Sequence, residues 1–201
     1  MTVRPEALQI FLDASFSAYE RSVQASEAKS SLAAIKARLK APAAPRGTPG
    51  SRLPACDHLD AALATAEAAP SVAGLIAAFR ALEPMLAWRR RPTHDGTASA
   101  NFADGHANAM IVGPGGVEER EDVWLGVSLL APHVRYPDHD HAPEETYLVL
   151  SGGEFRHGES DWFAPGIGGS FYNVPAIRHA MRSGDAPLFA LWALKVERPA
   201  A

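Results

Sequence analysis

The chain has 201 residues, 47% of them hydrophobic and 21% charged, which suits one large globular domain or a domain with an appendage. Its formal net charge of −4 argues against a nucleic-acid-binding surface. The lone cysteine, Cys56, excludes an intrachain disulfide framework, accords with a reducing compartment and reads as a small semi-buried residue.

Residues Met1 to Gln9 lack the apolar core of a signal peptide, and no apolar run approaches membrane-spanning length. The expectation is a cytoplasmic protein with no membrane partner. Residues 5 to 25 predict a helix. Pro5 suits a first helical position, and Leu8, Phe11, Leu12, Phe16, Tyr19 and Val23 recur at spacings of three and four. Residues 27 to 40 predict a second amphipathic helix. Ala41 to Pro54 is rich in proline and glycine and reads as a loop. Asp57 is placed to cap a third helix through about Ala69. Pro70 and Ser71 open a fourth, with Leu75, Ile76, Phe79, Leu82 and Leu86 on its apolar side. Arg89-Arg90-Arg91 reads as the solvated end of a helix, and His58 as a surface residue. Residues 1–90 are thus expected to be an all-α region with no cluster that suggests chemistry.

The pattern then changes. Residues 91 to 107 are polar, with His94 and His106 as isolated imidazoles. Short apolar runs follow at 109–112, 123–130, 147–150, 154–157, 161–163, 171–174 and 188–196. Gly-rich turns separate them at roughly ten-residue spacing, the signature of a β-sandwich or barrel.

The stretch Tyr136 to Gly153 carries the chemistry. In a strand alternate residues share a face, so His139 and His141 can aim at one point, and Glu145 and Tyr147 form a second same-face pair. His179 follows beyond another turn-rich segment. Three imidazoles and one carboxylate suit a single divalent transition metal: Zn, Fe, Mn, Co or Ni. Glu144 should face away from Glu145, into solvent.

The order His139-x-His141-x3-Glu145-x6-Gly152 resembles the first cupin motif, and Gly169, Pro175 and His179 resemble the second. The resemblance covers about residues 108–196. It implies an α+β chain, a helical N-terminal region followed by a C-terminal cupin (jelly-roll) β-barrel, with His139, His141, Glu145 and His179 as metal ligands in the barrel mouth. There are two departures. The glycine expected six residues before His139 is His133, and the Pro-x-Gly portion of the second motif reads Pro175-Ala176-Ile177, one residue short. His133 is expected to be structural or to support a ligand. Cupins often dimerise through barrel strands, so a homodimer is a further expectation.

A narrower resemblance is to the bacterial cupin lyases that cleave dimethylsulfoniopropionate (DMSP). They join a helical N-terminal region to a barrel, with one tyrosine two residues after the motif-one glutamate and another just before the His-x-His. Tyr147 and Tyr136 stand at those places. The resemblance implies a small zwitterionic sulfonium substrate and a β-elimination giving dimethyl sulfide and acrylate. Tyr147 would remove the proton next to the carboxylate, and Tyr136 would assist. A free tyrosine, with a pKa of about 10, needs a nearby cation to become a base. Trp124, Trp162, Phe163, Phe171, Tyr172 and Trp192 are candidate aromatic faces for the sulfonium. The rival readings are another metal-dependent cupin enzyme, such as an oxygenase or isomerase, and a non-catalytic sensor. The helical half is also a candidate lid over the barrel mouth.

Overall fold

The computed structural model describes residues 3–45, 49–92 and 95–197. Helix α1 (Glu6–Ser22) buries Leu8, Phe11, Leu12, Phe16 and Tyr19 on one face, as the three-and-four spacing requires. Helices α2 (Ser26–Arg38), α3 (Leu59–Glu67) and α4 (Ala73–Leu82) follow. Asp57 does not cap α3. A 3-10 turn, Pro54–His58, precedes that helix, which then starts behind a half-buried His58 with no side-chain cap. Helix α4 is shorter than its apolar stripe suggests. Pro84 lies in a second 3-10 turn, Glu83–Met85, where a missing amide hydrogen breaks the helical ladder. The arginine run is not a helix end: Trp88–Arg89 form strand β1, and Arg90 and Arg91 reach a cavity described below.

After a short helix, α5 (Phe102–Gly105), come β2 (His106–Val112), β3 (Val123–Leu130), β4 (Arg135–His139), β5 (Glu144–Val149), β6 (Glu154–His157), β7 (Ser170–Asn173), β8 (His179–Arg182) and β9 (Leu188–Lys195). They form two antiparallel sheets, one in the order β1-β2-β3-β9-β5-β7 and one in the order β4-β8-β6. The expected strand at 161–163 contributes only an isolated bridge, Phe155 to Phe163. The fold is α+β, helices followed by a double-sheet barrel of cupin type.

The period of two sorts the large sheet into two faces. Leu125, Val127 and Leu129 of β3, Leu148 of β5, and Phe189, Leu191 and Ala193 of β9 pack in one core with the helices. Residues of opposite parity, Leu130, Tyr147, Val149, Leu188 and Ala190, pack in a second core with Tyr136, Phe155 and Met181 of the small sheet. Helix α1 is fastened to the outer face where the buried Tyr19 hydroxyl donates to the Thr146 carbonyl at 3.2 Å. The helices therefore back the large sheet, and α1–α4 contribute no residue to the mouth of the barrel. Of the region 1–90, Arg90 lines the cavity.

Candidate metal centre

Four elements bring the ligand candidates together. His139 ends β4, His141 lies in the loop after it, Glu145 sits on β5 and His179 opens β8. His139 is the register partner of His179. One ligand atom each from His141, Glu145 and His179 all lie within 4.8 Å of one another. His139 stands outside that tight group, but its ring centroid is 4.0 Å from that of His179.

The backbone fixes how each imidazole presents itself. A carbonyl can only accept, so the Nδ1–H groups of His139, His141 and His179 donate to the carbonyls of Pro137 (3.0 Å), Pro143 (2.8 Å) and Ile177 (2.9 Å). This tautomer leaves an Nε2 lone pair on every ring. His179 Nε2 is buried and makes no hydrogen bond, 3.3 Å from Glu145 Oε2; His141 Nε2 is 3.4 Å from the same oxygen. An orphaned, aimed imidazole nitrogen beside a buried carboxylate fits a divalent cation, and pinned Nδ1 groups are the usual support of metal-binding histidines.

Electrostatics agree with that reading. Burial pushes the His139 imidazole down to about 3, and His179 adds to the effect, so His139 is neutral at physiological pH. Burial alone would raise the Glu145 carboxyl. The neighbouring His141 and His179 imidazoles outweigh burial and hold it well below the usual carboxylate range. Asn173, register partner of Glu145 on β7, donates Nδ2–H to Glu145 Oε2 at 3.1 Å. Glu144 does face away from Glu145, yet it is not simply solvated: it accepts from the Tyr172 hydroxyl at 2.6 Å and pairs with Lys195 at 2.9 Å.

Tyr136 and Tyr147 line the same cavity of about 310 Å³ as His139, His141 and Glu145. Tyr147 stacks on its register partner Phe171, with centroids 4.9 Å apart. Burial and the charge of Glu145 push its phenol far above the ordinary value. Burial also raises the Tyr136 phenol, but Arg91 and Asn108 oppose it. Of the candidate sulfonium faces, Trp124 and Trp192 line the cavity. Phe171 and Phe163 pack behind Tyr147. Trp162 lies elsewhere, with Arg182, Arg156 and Arg135 over its ring. Tyr172 is on the outer face, against the helical core. His133 is a turn residue at φ 58°, mostly exposed, 3.6 Å from Asp185. His106 is buried and stacked on Phe102, and its Nε2 accepts the Arg91 amide hydrogen at 2.7 Å. His94 lies outside the described residues.

Reading the sequence did not select Asn108, Ser128 or Asn173, nor Arg91 as a cavity residue. The available signal was parity: a polar residue inside an apolar strand, on the same face as the ligands.

The fold and the site define a protein of the cupin class, with a His/Glu cluster fit for one divalent metal. The family model described as dimethylsulfoniopropionate lyase matches residues 27–190. The chain belongs to that family, whose members are carbon–sulfur lyases. DddL of Cereibacter sphaeroides, whose name carries a provisional assignment as a DMSP lyase, is 33% identical over 81 residues. That match covers 40% of this chain, and the chain spans about a third (34%) of that relative's length. DMSP lyase DddQ from Ruegeria pomeroyi superposes with a TM-score of 0.67 at 24% identity, covering 97% of this chain and 94% of that one. A structure described with the DMSP lyases RdDddP and RnDddQII gives 0.70 at 23% identity, covering 94% and 92%. These two likenesses establish the shared fold. Among the described residues no helix is long and apolar enough to cross a membrane.

Proposed function

We propose that this chain cleaves dimethylsulfoniopropionate to dimethyl sulfide and acrylate by a base-initiated β-elimination. His139, His141, Glu145 and His179 would hold one divalent transition metal, Zn, Fe, Mn, Co or Ni, through three imidazoles and a carboxylate. His139 would complete the tight trio from beside His179. The observation that carries the reading is that two phenols, Tyr147 and Tyr136, share one cavity with His139, His141 and Glu145. An oxygenase, an isomerase or a sensor has no evident use for both.

The proton on the carbon next to the carboxylate is weakly acidic and needs a positioned base. When bound, the cation supplies Lewis-acid stabilisation of the charge that develops on the substrate carboxylate, and offsets the Glu145 charge that opposes phenol ionisation. Tyr147 takes the proton. The C–S bond breaks with its electron pair leaving on sulfur, so dimethyl sulfide departs neutral and the new double bond completes acrylate. The indoles of Trp124 and Trp192 offer the sulfonium a cation–π surface without a hard anion, worth about 0.5–2 kcal/mol each. A second reading exchanges the phenols. Tyr136 accepts a hydrogen bond from Asn108 at 3.0 Å and lies under the Arg91 guanidinium, 5.9 Å from its ring centroid. Both neighbours favour a phenolate there, which supports Tyr136 as the base.

The test is headspace detection of dimethyl sulfide from the metal-loaded chain given DMSP. Gas above a no-enzyme control supports the reading. Its absence, with metal confirmed bound, moves the assignment to another cupin activity or to a sensor. A cytoplasmic location is proposed as well, supported by the free, buried Cys56, which asks for no oxidising compartment. A homodimer is proposed on the habit of cupin barrels, and light scattering after size exclusion would check it.

A further inference from the structure

Three polar side chains inside the barrel form a chain of hydrogen bonds that ends on Tyr136. Trp192 Nε1–H donates to Ser128 Oγ at 3.0 Å, and Ser128 Oγ–H donates to Asn108 Oδ1 at 2.7 Å. Asn108 Nδ2–H donates to the Tyr136 hydroxyl oxygen at 3.0 Å. The members come from the adjacent strands β9, β3 and β2, with Asn108 the register partner of Ser128 and Trp192 that of Gly126. Gly126 makes the arrangement possible, because a Cβ there would collide with the Trp192 indole and the Ala109 carbonyl.

An indole N–H can only donate. Its bond occupies Ser128 Oγ as an acceptor, so the serine proton is sent on to Asn108. The asparagine carbonyl oxygen is thereby claimed, and its NH2 faces Tyr136. The reverse sense would load Ser128 Oγ with two donors and leave its proton without an acceptor in the chain. Buried polar groups rarely tolerate that. Arg91, over the Tyr136 ring, can also only donate.

We propose that Trp192, Ser128 and Asn108 are positioning residues. They form a one-way relay that holds the Tyr136 oxygen as an acceptor and directs its own proton into the cavity. The consequence for catalysis rests on the lyase reading; the orientation of the phenol does not. A Tyr136 so held is ready to give or return a proton at one place rather than to rotate among several.

The chain has four tyrosines, so protein labelled with 13C at tyrosine Cζ gives a four-line spectrum. Tyr→Phe variants assign it, and each shift reports the hydrogen bonding of its hydroxyl. The full, metal-loaded chain is compared with Asn108→Asp, which offers acceptors where Nδ2–H stood, and with Ser128→Ala, which cuts the relay in the middle. The expected result is a displaced Tyr136 line in both. In Asn108→Asp kcat falls by about 10- to 100-fold, the scale of a misplaced catalytic group, while KM stays within about twofold. In a Tyr136→Phe background Asn108→Asp should cost nothing further, since it acts through that hydroxyl. An unmoved Tyr136 line in folded Ser128→Ala overturns the relay even if dimethyl sulfide is made. So does an undiminished Asn108→Asp effect in the Tyr136→Phe background. A displaced line in a chain that makes no dimethyl sulfide keeps the relay and sinks the lyase reading instead.

Discussion

His157 Nδ1–H donates to Asn173 Oδ1 at 2.8 Å, and the Asn173 amide passes the contact on to Glu145. Asn173 is wholly buried. A carboxylate can only accept, so Nδ2 must face Glu145 and Oδ1 must face His157. The pair holds Glu145 turned toward the imidazoles, and outer partners of this kind typically govern metal affinity by about 10- to 100-fold. Asn173→Ala should weaken metal binding by that range, read by chelator competition on the metal-free chain. A variant that folds and binds as tightly as the parent would show that Asn173 only fills space.

The two phenols separate by substitution. If Tyr147 is the base, Tyr147→Phe should lower kcat by about 10²- to 10⁴-fold, the usual worth of a general base, with metal content intact. Tyr136→Phe should then cost clearly less. The reverse order would favour Tyr136, whose neighbours Asn108 and Arg91 oppose the effect of burial on its phenol. Twofold or smaller losses in both variants would remove phenols from the chemistry altogether.

The same-face pair Glu145 and Tyr147 was legible because both lie on one strand, whereas His141 meets the other imidazoles from the loop after β4 and not by strand alternation. The helices were legible because their stripes face a single core. Strand β9 was not cleanly legible: Leu188, Ala190 and Trp192 face one core while Phe189, Leu191 and Ala193 face the other. A strand covered on both faces loses its alternation. Local pattern also missed β8 as a strand, although it carries His179, since His179–Arg182 is short and polar at both ends. The two departures from the cupin motifs, at His133 and in the turn Pro175-Ala176-Ile177, share a backbone conformation. His133 and Ala176 both adopt φ 58°, the left-handed region where glycine is cheapest.

Ala176 permits a direct check. Its amide hydrogen binds the His141 carbonyl at 3.0 Å, so the turn ties both histidine segments together. A left-handed non-glycine residue costs roughly 1–2 kcal/mol, part of which returns as extra freedom of glycine in the unfolded chain. Ala176→Gly should raise stability in urea by up to about 1 kcal/mol, with metal affinity unchanged. A clear loss of stability would mean that this backbone is not left-handed in solution.

Acid should act on the metal-free protein through His139. Its folded-state value is depressed from 6.5 to about 3. Between those pH values the unfolded chain binds a proton that the folded chain refuses, so stability falls as pH is lowered through this window. His141 is shifted the other way: burial lowers its value, but Glu145 raises it by more, so it works with opposite sign. The comparison must therefore be with His139→Gln. The urea midpoint of the parent should drop more steeply from pH 7 to pH 4 than that of the variant. Parallel curves would place His139 in solvent rather than among the ligands.

The last prediction concerns the helical half. Separating residues 1–90 from a barrel at 108–196 assumes that the barrel can stand alone. The helices, however, cover an apolar face built from Leu125, Val127, Leu129, Leu148 and Leu191, all essentially inaccessible to solvent. Each such side chain contributes about 1.5–3 kcal/mol when buried, and an uncovered patch of this kind promotes association. Deleting residues 1–90 should therefore give an aggregating fragment rather than a slow enzyme. A milder variant keeps the question answerable. Phe79 sits between Phe11 and Phe189, with ring centroids 6.0 and 5.0 Å away, so Phe79→Ala should cost about 3–5 kcal/mol. Any of that variant that stays folded should bind metal normally, because the ligands lie on the other face of the sheet. A soluble 91–201 fragment, free of aggregates and with native β-sheet circular dichroism, would show instead that the barrel folds without the helices.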